Sequence, residues 1–448
     1  MKRLLRPVMA RRGFAIAALA QSLQYGSGLL LLPVVVRELS APEVGLWYIF
    51  IAAQGLSAVV DFGFQPTIAR YVSLAWSGAS SFKSSDNTSK EISGPNLKLL
   101  ANLLVASRKL YGILAFLLLA ILGIVGAFYL IPLARSSGLD LTAVMTSWFL
   151  FSAATALGVY FLWIPALLLG SGRGAQNYTF LVLSRGSSAL LGIAALLLGG
   201  GLIGLSAAFL GAQIIARVGG GIFLARLPLA RATEIEAGRP QALLREIGPN
   251  AARLGLVGVG AFMITRLNVF VVSSFYGLTA AGSFSISLQM LMAVATIAQL
   301  PAQMSLSQIV AARVARNRDA LSRIATRAVL SFLAIAVFGS IAVVWLAPHL
   351  LHALRSSVGP LPFPSMLLLA VVLVLEGNHS LHAFLITTAN KVPFVVPALV
   401  SGVAVAVLVT LSCWLGLGII GVIAAQGLAQ AAYNNWKWPL MFWKELER

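Results

Sequence analysis

Apolar stretches of membrane-crossing length alternate with polar connections along the whole chain. A helix needs ~20 predominantly apolar residues to cross a hydrocarbon core ~30 Å thick. Read by that criterion, the apolar runs and their breakers predict twelve helical spans. They lie near residues 13–36, 44–66, 110–133, 142–169, 176–198 and 203–225, then 252–275, 281–304, 327–347, 363–386, 392–413 and 416–435. The connections alternate in length. Trp76–Arg108, Arg226–Asn250 and Ser307–Arg327 are long and polar, whereas Arg37–Glu43, Gly199–Gly201, Gly277–Ala280 and Leu415–Gly418 are very short.

Composition agrees with that pattern. Of the 448 residues 59% are hydrophobic and 10% charged, against about 45–50% and ~25% in a soluble domain. Mean hydropathy is +0.91. The formal charge of +19 would suit a nucleic-acid binder, but the 32 Lys and Arg are dispersed between apolar runs and form no basic stripe. The only cysteine, Cys413, lies in an apolar run, which excludes disulfide frameworks and Cys-rich metal sites. The basic start, MKRLLRPVMARRGF, leads into an apolar stretch that continues to Val36, so it is read as a first membrane helix and not as a cleaved signal.

Cytoplasmic loops carry the excess of Lys and Arg. With the N-terminus in the cytoplasm, 26 of these residues fall on that side and three (Arg37, Arg135 and Arg355) on the other. A missed helix would scramble the alternation, so the bias supports the count as well as the orientation, with both termini cytoplasmic. The expected organisation is an N-terminal six-helix lobe (1–225), a cytoplasmic linker (226–250) that can form a short surface helix at 232–249, and a C-terminal six-helix lobe (251–448). A Ser-rich polar insert (77–98) reads as a cytoplasmic loop. LSAPEVG (39–45), Gln54 and Pro66 are echoed by LTAAG (278–282), Gln289 and Pro301, with the same twelve-residue Gln-to-Pro interval. With six helices per half, such repeats are parallel, as in two-lobed transporters with a central cavity.

Ionisable groups inside spans are costly and usually functional. Arg185 and Arg217 each lie sixteen residues from Gly201, at the turn of the fifth and sixth spans. That spacing sets both about 24 Å from the turn and at one depth. They either snorkel to headgroups or face a cavity. Arg266 is nearer the bilayer centre, where the snorkelling route is long. Asp61 and Glu376 either pair with these arginines or serve as coupling residues for protons or sodium. Glu376, His379 and His382 have i, i+3, i+6 spacing, but no second acidic or His set exists at membrane depth to complete a metal site. Trp436, Trp438 and Trp443 with Lys437 and Lys444 read as an interfacial belt, and Trp47, Tyr48, Trp148 and Trp163 as belt or packing residues. No nucleophile elbow, Walker loop or zincin pattern appears, and no cofactor is expected.

The R-x-L-S-x-x-E-x-G-x-W loop (Arg37 to Trp47), the D-F-G-F run (61–64) and the A-R step ending at Arg70 resemble the N-terminal signature of Wzx-type O-antigen and polysaccharide flippases. These belong to the multidrug/oligosaccharidyl-lipid/polysaccharide (MOP) exporter superfamily. TRLNVFVVSSFYGLTAAGSFSISLQ (265–289) also resembles the family's seventh and eighth helices, although Asn268 stands where the family often has an acid. The resemblance implies an all-α polytopic protein of the bacterial inner membrane, with two lobes around a central cavity. Its implied activity is to move undecaprenyl-diphosphate-linked oligosaccharide from the cytoplasmic to the periplasmic leaflet. A polysaccharide polymerase and a chain-length regulator are the implied partners. Arg266, Arg185 and Arg217 become contacts for the diphosphate or acidic sugars, with Arg70 at the cytoplasmic mouth. A multidrug cation antiporter of the same superfamily would need acidic cavity residues, and none occurs in the first or seventh span. Lipid II flippases usually carry two more helices, and a glycan polymerase or ligase would need a large periplasmic loop.

Overall fold

The computed structural model describes residues 2–79, 94–225, 255–389 and 391–447, and among these all regular structure is helical. The linker at 226–250, with the expected surface helix at 232–249, and residues 80–93 of the Ser-rich insert lie outside the described residues. In chain order the first helices are α1 (Lys2–Glu38), α2 (Ala41–Gln54), α3 (Leu56–Asp61), α4 (Phe64–Trp76) and α5 (Leu97–Val125). A π-helical turn (Gly126–Leu130) joins α5 to α6 (Ile131–Ser136), followed by α7 (Leu141–Tyr160), α8 (Trp163–Gly170), α9 (Gly174–Leu197) and α10 (Gly201–Ala225). Helical residues 255–265 lead into α11 (Leu267–Met304), then α12 (Leu306–Val314), α13 (Arg318–Ala353), α14 (Phe363–Thr387), α15 (Val395–Trp414), α16 (Gly418–Ala431) and α17 (Asn434–Glu447).

Among the described residues nine helical stretches are long and apolar enough to cross a bilayer. One of them, Gly255–Met304, holds two of the expected spans and kinks at Gly277, whose φ of 81° only glycine adopts freely. Large apolar side chains such as Phe116, Phe128, Phe338 and Trp414 are at least 73% exposed. Water would not tolerate that many, but lipid does.

Several helices overrun the apolar windows. The expected polar connection Trp76–Arg108 is helical from Leu97, because Asn96 caps the first turn by accepting from Leu99 N at 3.0 Å. The stretch from Leu97 to Ser136 covers 40 residues, about 60 Å at 1.5 Å per residue. Likewise α13 begins at Arg318, nine residues before the apolar window at Arg327, with Asn317 capping through Ala320 N at 2.9 Å. Trp438 departs from its expected interfacial place. It is buried, with its indole N–H donating to Asn434 Oδ1 at 3.1 Å, while Trp436 stays exposed.

The helices form two compact units, Met1–Leu31 with Ala53–Gly258, and Leu32–Ala52 with Val259–Arg448. In the first, the α9–α10 hairpin packs on α7, and α4 packs on α8. In the second, the end of α1 and the start of α2 are held by residues far along the chain. Ser357 donates its N–H to Val36 O at 2.8 Å and its hydroxyl to Leu39 O at 2.7 Å, satisfying carbonyls that the end of α1 leaves unpaired. Gly45 lies so close to α11 that a Cβ there would stand 2.1 Å from Leu278 O, and Gly282 faces Gly45 in turn. The two glycines end the repeat-related motifs LSAPEVG and LTAAG, so the repeat is a packing requirement. Arg313, at the end of α12, is fully engaged. It donates to Thr388 Oγ1 (2.7 Å), Leu385 O (3.1 Å) and Glu445 Oε1 (3.1 Å), tying α12 to the end of α14 and to α17.

Gly45→Val forces this backbone contact apart, and overpacking of that kind costs about 1–3 kcal/mol or more. Thermal unfolding of purified protein in detergent is expected to show a lower midpoint for Gly45→Val than for wild type, with a smaller drop for Gly359→Val, where a Cβ meets nothing within 4 Å.

Candidate functional site

The first unit gathers cations and aromatic rings at the break between α7 and α8. α7 stops at Tyr160, Phe161 and Leu162 turn the chain, and α8 restarts at Trp163. The Arg217 guanidinium carbon lies 5.2 Å from the Phe161 ring centroid and 5.7 Å from that of Trp163. Arg108, from α5, stacks on the same Trp163 ring at 4.6 Å. Guanidinium over an indole face is held electrostatically by the ring quadrupole. Leu191 packs on Gly211 and Leu183 on Gly219, and this hairpin register brings Arg185 and Arg217 to one level. Arg185 is exposed, as is Arg70 on α4. Among the described residues neither these four arginines nor Arg266 forms an ion pair.

Arg108 escaped the sequence reading because the hydropathy window opened at residue 110 and left it in a polar connection. The helix in fact begins eleven residues earlier than Arg108, which sets the side chain about 16 Å along it. The Pro95-Asn96 pair ahead of Leu97 was the available signal, since Asn is a preferred N-cap.

The arginine pairing expected for the two carboxylates is not what forms. Asp61 accepts from the hydroxyl of Tyr111 at 2.8 Å and sits at the start of α4, where Gln65 N approaches its Oδ1 at 3.3 Å. A carboxylate in that position complements the exposed N–H groups of the helix end. The D-F-G-F run makes the position possible. Phe62 (φ 50°) and Gly63 (φ 75°) both take left-handed conformations and separate α3 from α4. Glu376, in the second unit, accepts from Gln426 Nε2 at 2.7 Å. Neutral donors therefore satisfy both acids, and the arginines are left without carboxylate partners.

In the second unit the helix breaks at Arg266, and α11 restarts at Leu267. The Arg266 side chain is exposed. Two residues on, buried Asn268 donates to Gln426 Oε1, and Gln426 passes its own N–H to Glu376. The chain Asn268–Gln426–Glu376 thus links α11, α16 and α14. His379 Nδ1 meets Asn435 Oδ1 at 2.8 Å, so that nitrogen carries the proton, and His382 Nδ1 donates to Asn378 O at 2.8 Å. Both rings are committed to neighbouring amide groups. Sequence reasoning had marked Asn268 for a missing acid and Glu376 for its charge; Gln426, which joins them, carried no signal of its own.

The all-helical architecture defines a class of fold, and comparison with solved structures specifies it. An inward-facing multidrug resistance MATE family transporter of the MOP superfamily matches with a TM-score of 0.74 at 15% identity, covering 96% of this chain and 99% of that one. An outward-facing MATE family transporter matches at 0.64 with 18% identity, covering 97% and 94%. A MOP superfamily transporter from Pyrococcus furiosus, described by a reverse polarity of its binding pocket that suggests a different function, matches at 0.63 with 17% identity, covering 98% and 96%. No protein-family description and no curated protein matches the chain. At these identities the likeness is one of fold, and the fold is MATE-like.

Gln426→Leu removes the donor to Glu376 and the acceptor for Asn268 together, leaving buried polar groups unsatisfied at a cost of about 1–3 kcal/mol each. Thermal unfolding in detergent is expected to show a clear loss for Gln426→Leu. Glu376→Gln, whose amide oxygen still accepts from Gln426, is expected to unfold within a few degrees of wild type.

Proposed function

We propose that this chain is a transporter that flips undecaprenyl-diphosphate-linked oligosaccharide from the cytoplasmic to the periplasmic leaflet of the bacterial inner membrane. The product would feed O-antigen, capsule or exopolysaccharide assembly. One observation carries the reading. Arg185, Arg217 and Arg266 lie within membrane-spanning helices and lack a carboxylate partner among the described residues. A charge in that setting costs ~2.5–3.5 kcal/mol or more, and a protein that keeps three of them unpaired keeps them for an anion brought by the substrate.

A diphosphate cannot cross hydrocarbon bare. Guanidinium groups replace its hydration with directed, charge-assisted hydrogen bonds, often two per group. Arg266 stands where the helix restarts, so its charge adds to the positive end of α11. The polyprenyl tail stays in lipid while the glycan crosses through a polar interior, and alternating access of repeat-built lobes exposes the site to each side in turn. Glu376, satisfied by a neutral amide and free of arginine, is the acid we assign to coupling with an ion gradient, and Asp61 is the second candidate. Arg70 is the weaker contact, at the cytoplasmic mouth. The polymerase and chain-length regulator act downstream on the periplasmic side.

The second reading is a multidrug antiporter, and two of the matched structures are described as multidrug resistance transporters. The Pyrococcus furiosus transporter supports the idea that one fold accepts pockets of either polarity. The charge inventory of this chain favours an anionic cargo.

Deletion of the gene is expected to leave the complete lipid-linked repeat unit on the cytoplasmic side and to abolish the surface polysaccharide, both read by glycan and lipid extraction. Single units accumulating on the periplasmic side would point to a polymerase instead. In the complemented strain, Arg266→Ala at normal membrane levels is expected to lower export at least tenfold, which corresponds to about 1.4 kcal/mol. Full export by that variant would remove Arg266 from the site.

A further inference from the structure

We propose that Arg108, Trp163 and Arg217 form a phosphoryl-binding site within the first unit, with Arg108 a substrate contact that spacing in the sequence did not reveal. Arg108 and Arg217 come from α5 and α10, and their guanidinium carbons lie 4.6 and 5.7 Å from the centroid of one indole ring. Like charges repel strongly in a medium of low dielectric constant. Arg108 is exposed and Arg217 half-buried, and two guanidinium groups drawn to one ring without an ion pair among the described residues make a place that an anion from outside the protein would neutralise. Asp61 does not supply it. Its carboxylate is held by Tyr111, one turn beyond Arg108 on α5, and lies outside ion-pair distance of either arginine.

A second observation is independent of the charges. Trp163 is only 2% exposed, and its indole N–H has no acceptor. A buried N–H left unpaired costs about 1–3 kcal/mol, and such groups are rare enough to need a cause. A ligand made of acceptors alone would take both guanidinium groups and this N–H. Phosphoryl oxygens fit that description, and two cations match the charge of a diphosphate. Both guanidinium groups are also held near the ring before a ligand arrives, which lowers the entropy lost on binding.

The assignment rests on the diphosphate reading of the cargo, but its test can be separated from that reading. The full-length protein, in phosphatidylcholine nanodiscs, is titrated with farnesyl diphosphate and with inorganic pyrophosphate. Farnesyl diphosphate is expected to bind saturably. Arg108→Gln and Arg217→Gln should each weaken binding about tenfold, the usual loss when a charge-assisted hydrogen bond is removed. Trp163→Phe, which keeps a ring and loses the N–H, should weaken it by a smaller factor, and Arg135→Gln should bind as wild type. Adding phosphatidylglycerol distinguishes the sources of the phosphoryl group. Competition identifies a lipid headgroup as an occupant of the site, and unchanged affinity identifies the isoprenoid diphosphate alone.

Where a variant fails to fold, phenylglyoxal labelling of the wild type carries the test. Pyrophosphate is expected to protect Arg108 and Arg217, read by mass spectrometry. Wild-type affinity in both glutamine variants, or labelling of both arginines unchanged by saturating pyrophosphate, overturns the site. If binding is lost in the variants while gene deletion leaves surface polysaccharide intact, the anion site stands and the flippase reading falls. If deletion traps the lipid-linked unit while the variants bind normally, the reverse holds.

Discussion

Hydrocarbon offers no hydrogen bonds, so every polar group within a span must find its partner inside the protein. Many hydroxyls of this chain obey that constraint in the shortest way, although those of Ser152, Ser206 and Ser285 are buried without a partner. Ser147, Thr155, Ser273, Ser274 and Thr296 each donate to the carbonyl four residues earlier on their own helix. Buried amides pair with one another or with an acid, as Asn434 does with Ser401 and Gln430. Arg313 shows what a structural arginine looks like under the same rule, with three donors placed on three acceptors from two other helices. Against that background the arginines of the spans differ from Arg313 in having no carboxylate partner among the described residues.

The two units use polar groups differently. In the first, the cations lie beside aromatic rings, and the one acid nearby is occupied by a tyrosine hydroxyl. In the second, Asn268, Gln426 and Glu376 form one hydrogen-bonded chain across α11, α16 and α14, and His379 pairs separately with Asn435 on α17, with Arg266 two residues from Asn268. On the proposed reading, such an arrangement would separate recognition of an anion from any response to a proton or a small cation. It also accounts for Asn268. An acid there would stand beside Glu376 through a single intervening amide, and two carboxylates in a buried setting repel. The amide keeps the connection and removes the repulsion.

The sequence made the spans legible because hydropathy reports what lies in lipid. It reported helix ends poorly for the same reason. Charged turns such as Arg318 to Arg327 extend a helix beyond the hydrocarbon without leaving an apolar trace, and only the Asn caps at 96 and 317 mark where those helices start. Arg108 was missed through that error. The arginines stood out individually because charge in a span is rare, whereas the tie between Glu376 and Gln426 joins residues fifty positions apart with no local pattern. Trp438 shows the limit of composition. It shares an aromatic and basic segment with Trp436, yet one indole is buried on Asn434 and the other exposed, and helical phase alone separates them.

Arginine, and not lysine, occupies every one of these in-span positions, and the difference follows from the physics of the site. A guanidinium is more weakly hydrated than an ammonium, stays charged under nearly all conditions, and presents a planar fork that both stacks on an indole and grips two oxygens at once. A lysine at position 108 or 217 would keep a charge but lose the flat group that lies against the ring and the second hydrogen bond. On the proposed reading, a cation that cannot deprotonate holds its charge in the resting state until the anion arrives. A multidrug exporter of cationic compounds would find these residues a barrier at each position. On the proposed reading, the same inventory that makes the empty protein electrostatically costly would make it selective, because a cargo bringing its own negative charge lowers that cost.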